Sequence, residues 1–178
     1  MGPFLLTLLA LALSSEGQAR LLLSQKQALT LAFPDGVTVE RKTAYLSDAQ
    51  VKDIESSAKA KVDSKIWTYY VGTASGAASG YAYFDRVVVR TMPATLMGVV
   101  DPDGALRFLE VLTFDEPDDY KAGPRWLAQL KGRRLDADLR VGGVLRNMAG
   151  ATLTSAALSE SARRMLAVHA VLNRKGSP

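Results

Sequence analysis

The sequence predicts an α+β fold: an antiparallel sheet with helices packed on one side, formed as a single domain. Three observations carry that expectation. Segments rich in β-branched and aromatic residues gather mid-chain, at 66–71, 81–90, 95–100 and 106–114. Runs with apolar residues at helical spacing lie at both ends. The 178 residues, 48% of them hydrophobic, suffice for one ordinary core.

Residues 1–19 read as a secretory signal peptide. Positions 4–13 are an apolar run, Ser14-Ser15-Glu16 breaks it, and Gly17-Gln18-Ala19 places small residues at a cleavage point before Arg20. The run is shorter than the about 20 residues of a membrane span. Its n-region carries no Lys or Arg, so an uncleaved anchor stands as the second reading.

Residues 20–178 form the folded domain. Leu22, Gln25, Leu29 and Phe33 fall near helical spacing, and Pro34-Asp35-Gly36 stops that helix. Residues 37–41 alternate as a short strand. Ser47, with Gln50 three residues on, makes a capping box for a helix reaching about Ala60, with Val51, Ile54 and Ala58 as its apolar side. The small residues of 72–80 read as a flexible hairpin connection, because they lack the ending of a P-loop and the glycine spacing of a dinucleotide fingerprint. Asp101-Pro102-Asp103-Gly104 favours a turn between the third and fourth mid-chain strands. Residues 126–130 follow Pro124 as a short helix, 135–145 are extended and irregular, and 156–172 are strongly helical. On that last helix Leu158, Ala162, Met165, Leu166, His169 and Leu172 share a side, with Glu160, Arg163 and Arg164 elsewhere. His169 lies at the edge of this stripe with no acid at helical spacing, which makes it a packing residue and not a catalytic one.

Composition narrows the chemistry. Cysteine is absent and histidine occurs once, which excludes iron–sulfur ligation, c-type haem attachment, thiolate zinc and multi-histidine metal sites. An organic cofactor must carry any electrons this chain moves. The net charge of +4 comes from scattered Lys and Arg, with no basic run interleaved with aromatics, so no nucleic-acid partner is expected. The acids of 115–119 read as a hydrated loop, and Trp67, Tyr69 and Tyr70 as sheet packing. There is no Gly-x-Ser-x-Gly elbow and no Ser/His/acid set, so no catalytic residues are assigned.

The most informative stretch is Ala149-Gly150-Ala151-Thr152-Leu153-Thr154-Ser155, which joins the last extended segment to the last helix. Gly150 can take a positive φ and let another group approach the backbone. Thr154 or Ser155 suits the cap of the following helix, whose first amides would offer donors and a favourable dipole to a phosphate.

The hexamer 150–155 resembles the flavinylation motif of the FMN-binding domain family, to which the peripheral flavin subunits of sodium-pumping NADH:quinone reductase and of related ferredoxin-oxidising membrane complexes belong. The resemblance extends to 85–91, to 111–117, and to Tyr120 and Trp126-Leu127. It implies that 20–178 is an FMN-binding domain whose cofactor is FMN, held by a phosphoester bond to Thr152. A flavin transferase using FAD and magnesium would install it. Gly150, Ala151, Thr154 and Ser155 would surround the attachment point, and Glu116 and Pro117, with Phe114 and Asp115, would approach the flavin. Family members usually carry an acid six residues before the modified threonine and Ser or Thr three before it; here Arg146 and Ala149 stand there. Arg146 is then a candidate neighbour of the flavin phosphate. The function implied is an exported electron carrier, periplasmic or on the outer face of the cytoplasmic membrane, serving a membrane redox complex. The alternative is a noncovalent FMN-binding or flavin-free structural or sensory module.

Overall fold

A computed structural model describes residues 21–174, and the expected signal peptide, 1–19, lies outside them. The sheet has five antiparallel strands in the order of the chain: β1 (Thr38–Tyr45), β2 (Ile66–Ala74), β3 (Ala77–Val89), β4 (Met92–Val100) and β5 (Leu106–Phe114). Each strand pairs with its sequence neighbour, so every sheet connection is local except the helical one after β1. Helix α1 (Gln25–Ala32) precedes the sheet, α2 (Asp48–Ala58) joins β1 to β2, and α3 (Pro124–Leu127) and α4 (Thr152–Leu172) follow β5. The α+β expectation is borne out. The large core lies between one face of the sheet and α2 and α4, joining Ile54, Trp67, Tyr83, Leu96, Phe114, Leu158 and Met165. A smaller cluster on the opposite face holds α1 through Ala28, Ala32 and Phe33 against Ala82, Met97, Val99 and Leu112.

Local signals explain most element ends. The Ser47–Gln50 capping box forms, and Lys59 takes the left-handed conformation that ends α2. A second box, Ser24 with Gln27, starts α1 and was missed in the sequence. The stretch 72–80 is not a flexible loop. Strand pairing runs to Ala74↔Ala77, leaving a two-residue turn, Ser75-Gly76, with φ of 52° and 78°. Both positive angles match the twist of a type I′ hairpin. Gly72 is required for a different reason: a Cβ there would collide with the ring of Phe33.

Helix α4 departs most from the amphipathic pattern. Arg163 and Arg164, expected away from the apolar side, are 7% and 6% exposed. Arg163 donates from Nε to the carbonyl of Ala58 (2.7 Å) and from Nη1 to that of Leu139 (2.7 Å), satisfying a carbonyl that the end of α2 leaves open. Arg164 donates from Nη2 (2.8 Å) and Nε (3.0 Å) to Oδ2 of Asp85 on β3, which also accepts from the hydroxyl of Ser161 at 2.7 Å. The helix therefore carries polar groups inward because each finds a partner. It passes close to β4 at Gly98, where a Cβ would meet Sδ of Met165 at 2.9 Å and displace that side chain's end.

His169 is buried as expected, with Nδ1 3.1 Å from the Tyr83 hydroxyl and 3.2 Å from Nδ2 of Asn173. Burial pushes its pKa down to about 4, against a small opposing influence of Asp103. The same burial pushes the Tyr83 phenol up.

Two outcomes follow. Removing one member of the Asp85–Arg164 pair leaves the other charge buried, so Asp85→Ala lowers the unfolding free energy by about 3–5 kcal/mol in urea titration. A loss below about 1 kcal/mol would deny the pair that role. For His169 the folded pKa lies below the unfolded one, so the unfolded chain binds the extra proton as pH falls, and stability decreases. Between about pH 6.5 and about pH 5 the wild type loses about 2 kcal/mol from this group. His169→Gln flattens that slope.

Candidate functional site

The last helix begins four residues earlier than its strong helical run suggests. Gly150, at φ 77° with open space around it, reverses the chain, and the Ala151 amide donates to the carbonyl of Met148 at 3.1 Å. Ala151 is the N-cap and supplies no side-chain acceptor. Thr154 and Ser155, expected as caps, lie inside the first turn and are buried. The reason is local: after the Gly150 reversal Ala151, at φ −130° and ψ 43°, leads the chain straight into the helix at Thr152. The amides of Thr152, Leu153 and Thr154 therefore keep the unpartnered state of a first helical turn, and no acidic side chain occupies that turn.

Thr152 is exposed at the first helical position. Its Oγ1 accepts a hydrogen bond from Nδ2 of Asn147 at 2.8 Å. Oδ1 of Asn147 in turn lies 2.7 Å from the hydroxyl of Ser155, which also reaches the Thr152 carbonyl at 2.9 Å. One asparagine thus fixes the Thr152 oxygen and leaves its hydrogen unused. Asn147 was missed in the sequence because its role depends on the Gly150 reversal. Thr154 is 1% exposed, and its Oγ1 has no hydrogen-bond partner among the described residues.

The residues following β5 reach this place indirectly. Glu116 is buried, and its Oε1 accepts from the amides of Thr91 (2.8 Å) and Met92 (3.0 Å) and from the Thr91 hydroxyl (3.1 Å). The Thr91 amide first, and then the Met92 amide and the cation of Arg90, hold its carboxyl below the usual range against the opposing effect of burial. Glu116 therefore clamps the β3–β4 turn, where Arg90 sits at φ 55°. Pro117 leads into a single 3-10 turn, Asp118–Tyr120. The Arg90 guanidinium lies 4.1 Å above the Tyr120 ring. Phe114 is part of the large core, and the Asp115 amide donates to the Pro93 carbonyl at 3.3 Å.

Two cavities flank Ala151. One, of about 320 Å³, is lined by Arg90, Tyr120 and residues 150–154. The other, of about 550 Å³, is lined by Lys121, Arg125, Trp126, Arg146, Asn147 and Met148 among others. Trp126 donates from Nε1 to the Arg146 carbonyl at 2.7 Å, and the Arg146 amide donates to Oε1 of Gln129 at 2.9 Å, so α3 and its continuation fix this wall. Arg146 belongs to the larger cavity and Arg90 to the smaller. The structure thus brings together Gly150, Ala151, Thr152 and Thr154 around the smaller cavity, with Ser155 behind them. Glu116 and Pro117 act on it through the Arg90 turn and Tyr120. Among the described residues no cluster of His, Asp or Glu is arranged to hold a metal ion.

No protein-family model matches the chain, and no curated protein matches it in sequence. Among solved structures, it is similar to the crystal structure of NqrC from Shewanella oneidensis. The two are 19% identical, the alignment covers 74% of this chain and 79% of that one, and the TM-score is 0.54. The likeness shows that this chain has the fold of NqrC.

Proposed function

We propose that this chain is an exported flavoprotein electron carrier, with FMN bound through its phosphate to Thr152 and electrons passing to or from a membrane redox complex. One observation carries the reading. The exposed Thr152 hydroxyl stands at a helix N-terminus and lines the smaller cavity, oriented by Asn147, which lines the larger one. The fold shared with NqrC and the 150–155 motif point the same way.

The residues fit the group. The free amides of the first turn suit a phosphate, and a single negative charge there gains about 0.3–1 kcal/mol from the helix dipole. The larger cavity lies within the usual size range of small-molecule sites, and Trp126 and Met148 give it apolar walls. Lys121, Arg125 and Arg146 place three cations along its lining against one acid, Asp119. When bound, the flavin would supply one- and two-electron chemistry, and these cations would favour its reduced, anionic form.

Thr152 is an acceptor and not a self-activating nucleophile. A threonine hydroxyl needs a base or metal to attack phosphorus, and among the described residues its only hydrogen-bond partner is the amide of Asn147. The activating groups belong to a flavin transferase using FAD and magnesium. In that step the Thr152 oxygen bonds to the FMN phosphorus of FAD, the bond to AMP breaks, and the hydroxyl proton passes to the transferase. Gly150, with open space beside it, leaves room for that second active site.

The test is direct. The full chain, expressed with a flavin transferase and run on a denaturing gel, carries flavin fluorescence with the polypeptide. Thr152→Ala abolishes the signal and Thr154→Ala leaves at least partial labelling. Fluorescence that survives Thr152→Ala moves the attachment elsewhere. Colour lost entirely on denaturation favours the alternative, noncovalent FMN binding.

A further inference from the structure

The face of the sheet opposite α2 and α4 is only partly covered. Helix α1 packs there on Ala82, Met97, Val99 and Leu112, but it is eight residues long and so spans only about 12 Å. The strand registers show what the open part presents. Tyr45 pairs with Ile66, and Arg41 with Tyr70, which pairs with Ala82. At the other edge Leu21 bridges to Thr113, which pairs with Thr95 opposite Arg86. Paired residues share a face, as do alternate residues along a strand. Leu21, Tyr45, Ile66 and Val88 therefore lie on the α1 side, exposed by 64%, 76%, 56% and 65%. With Val39 they are five of the eight large hydrophobic side chains exposed among the described residues. Scattered singly they would need no explanation; gathered on one face they mark an interaction surface.

Charge selects the occupant. Arg41 and Arg86 are exposed on this face, and among the described residues neither has an ion-pair partner. Asp63 lines a cavity of about 240 Å³ with Arg86 without pairing with it, and Glu110, opposite Met97, is half-buried at the α1 end. A second copy seated here would bring like charges together, which disfavours a dimer through this face. An anionic lipid surface satisfies both kinds of side chain. Its phosphates take the guanidinium forks, its acyl boundary takes the aliphatic groups, and Tyr45 suits the headgroup level. The course of the chain points the same way. Seven residues separate Leu21 from the apolar run at 4–13, a reach of at most about 25 Å. As leader or as anchor, that run brings the Leu21 edge of this face close to a bilayer.

We propose that this sheet face docks the domain on an anionic lipid surface, with Tyr45, Ile66 and Val88 as apolar contacts and Arg41 and Arg86 on the headgroups. Val88 is two residues from Arg90, which lines the smaller cavity beside Thr152, while α4 packs on the opposite face. Docking therefore leaves the Thr152 site at the margin of the contact, uncovered and near the plane in which a membrane partner moves. The inference goes beyond the flavin reading and does not depend on it.

The chain has no cysteine, so one introduced cysteine carries a polarity-sensitive fluorophore at a known place. The full chain, labelled at Ile66→Cys, at Val88→Cys or, beside Leu145 of the large core, at Val144→Cys, is reconstituted in vesicles of phosphatidylcholine with increasing phosphatidylglycerol. Emission at 66 and 88 moves to the blue as phosphatidylglycerol rises, and emission at 144 does not. Arg41→Gln combined with Arg86→Gln weakens docking by roughly thirtyfold and leaves the melting temperature unchanged, because neither guanidinium has a partner to lose. Emission at 66 and 88 that stays solvent-like in the anionic vesicles overturns the proposal. So does an equal shift at 144, or a double variant that docks as the wild type does. A blue shift that appears without lipid and grows with protein concentration assigns the face to a second copy and overturns it too. None of these outcomes bears on whether Thr152 is labelled, so the two readings fail separately.

Discussion

The contact on which this molecule depends is the passage of α4 across the sheet. Met165 lies against β4 at Gly98, where an added Cβ would force the end of the Met165 side chain to shift. Beside it, Arg164 and Asp85 fix the helix along its axis through paired, charge-assisted hydrogen bonds. Arg163 ties the same helix to the last carbonyl of α2. Sliding α4 by one residue would break both arginine contacts and push Met165 onto a neighbour with a side chain. A core this close-packed resists such shifts, so the helix has one register and its first residue has one position.

That position is where the chemistry gathers. The start of α4 meets the β3–β4 turn and the segment after β5, three pieces of chain far apart in sequence. Each is held by its own device: the Gly150 reversal, the Glu116 clamp and the Trp126–Arg146 hydrogen bond. The site is therefore rigid on three sides and open on the fourth, where Thr152 is exposed. This arrangement suits a modification made by another protein, which needs a fixed oxygen and an unobstructed approach. It also suits electron transfer, in which a ring held against a firm wall reorganises little.

How much of this was legible in the sequence depended on whether the cause was local. The β-branched and aromatic strands were readable, and β5 was placed at its observed bounds. The Ser47 box was readable because both of its halves lie within one turn, although the Ser24 box, equally local, was not read. The hairpin at Ser75-Gly76 was obscured by Ala, Gly and Ser, which have low strand propensity; pairing with neighbouring strands overrides that propensity. Arg163 and Arg164 were misplaced because a charged side chain gives no sign in sequence that Asp85 and two carbonyls await it. Thr152 was singled out by motif, and the structure leaves it exposed at the start of α4. Arg90 and Asn147 were not, since their roles arise from a turn clamped at a distance and from a reversal at glycine. Thr154 was noticed for its hydroxyl and assigned to capping, a position that Ala151 holds without a side-chain hydrogen bond.

In the proposed function one oxygen, on Thr152, carries the flavin. The most direct measurement is the intact mass of the chain matured beside a flavin transferase, followed by fragmentation of the peptide spanning 147–163. The account predicts a gain equal to one FMN less one water, located on Thr152. An unmodified mass, or the same gain on Thr154 or Ser155, would contradict it.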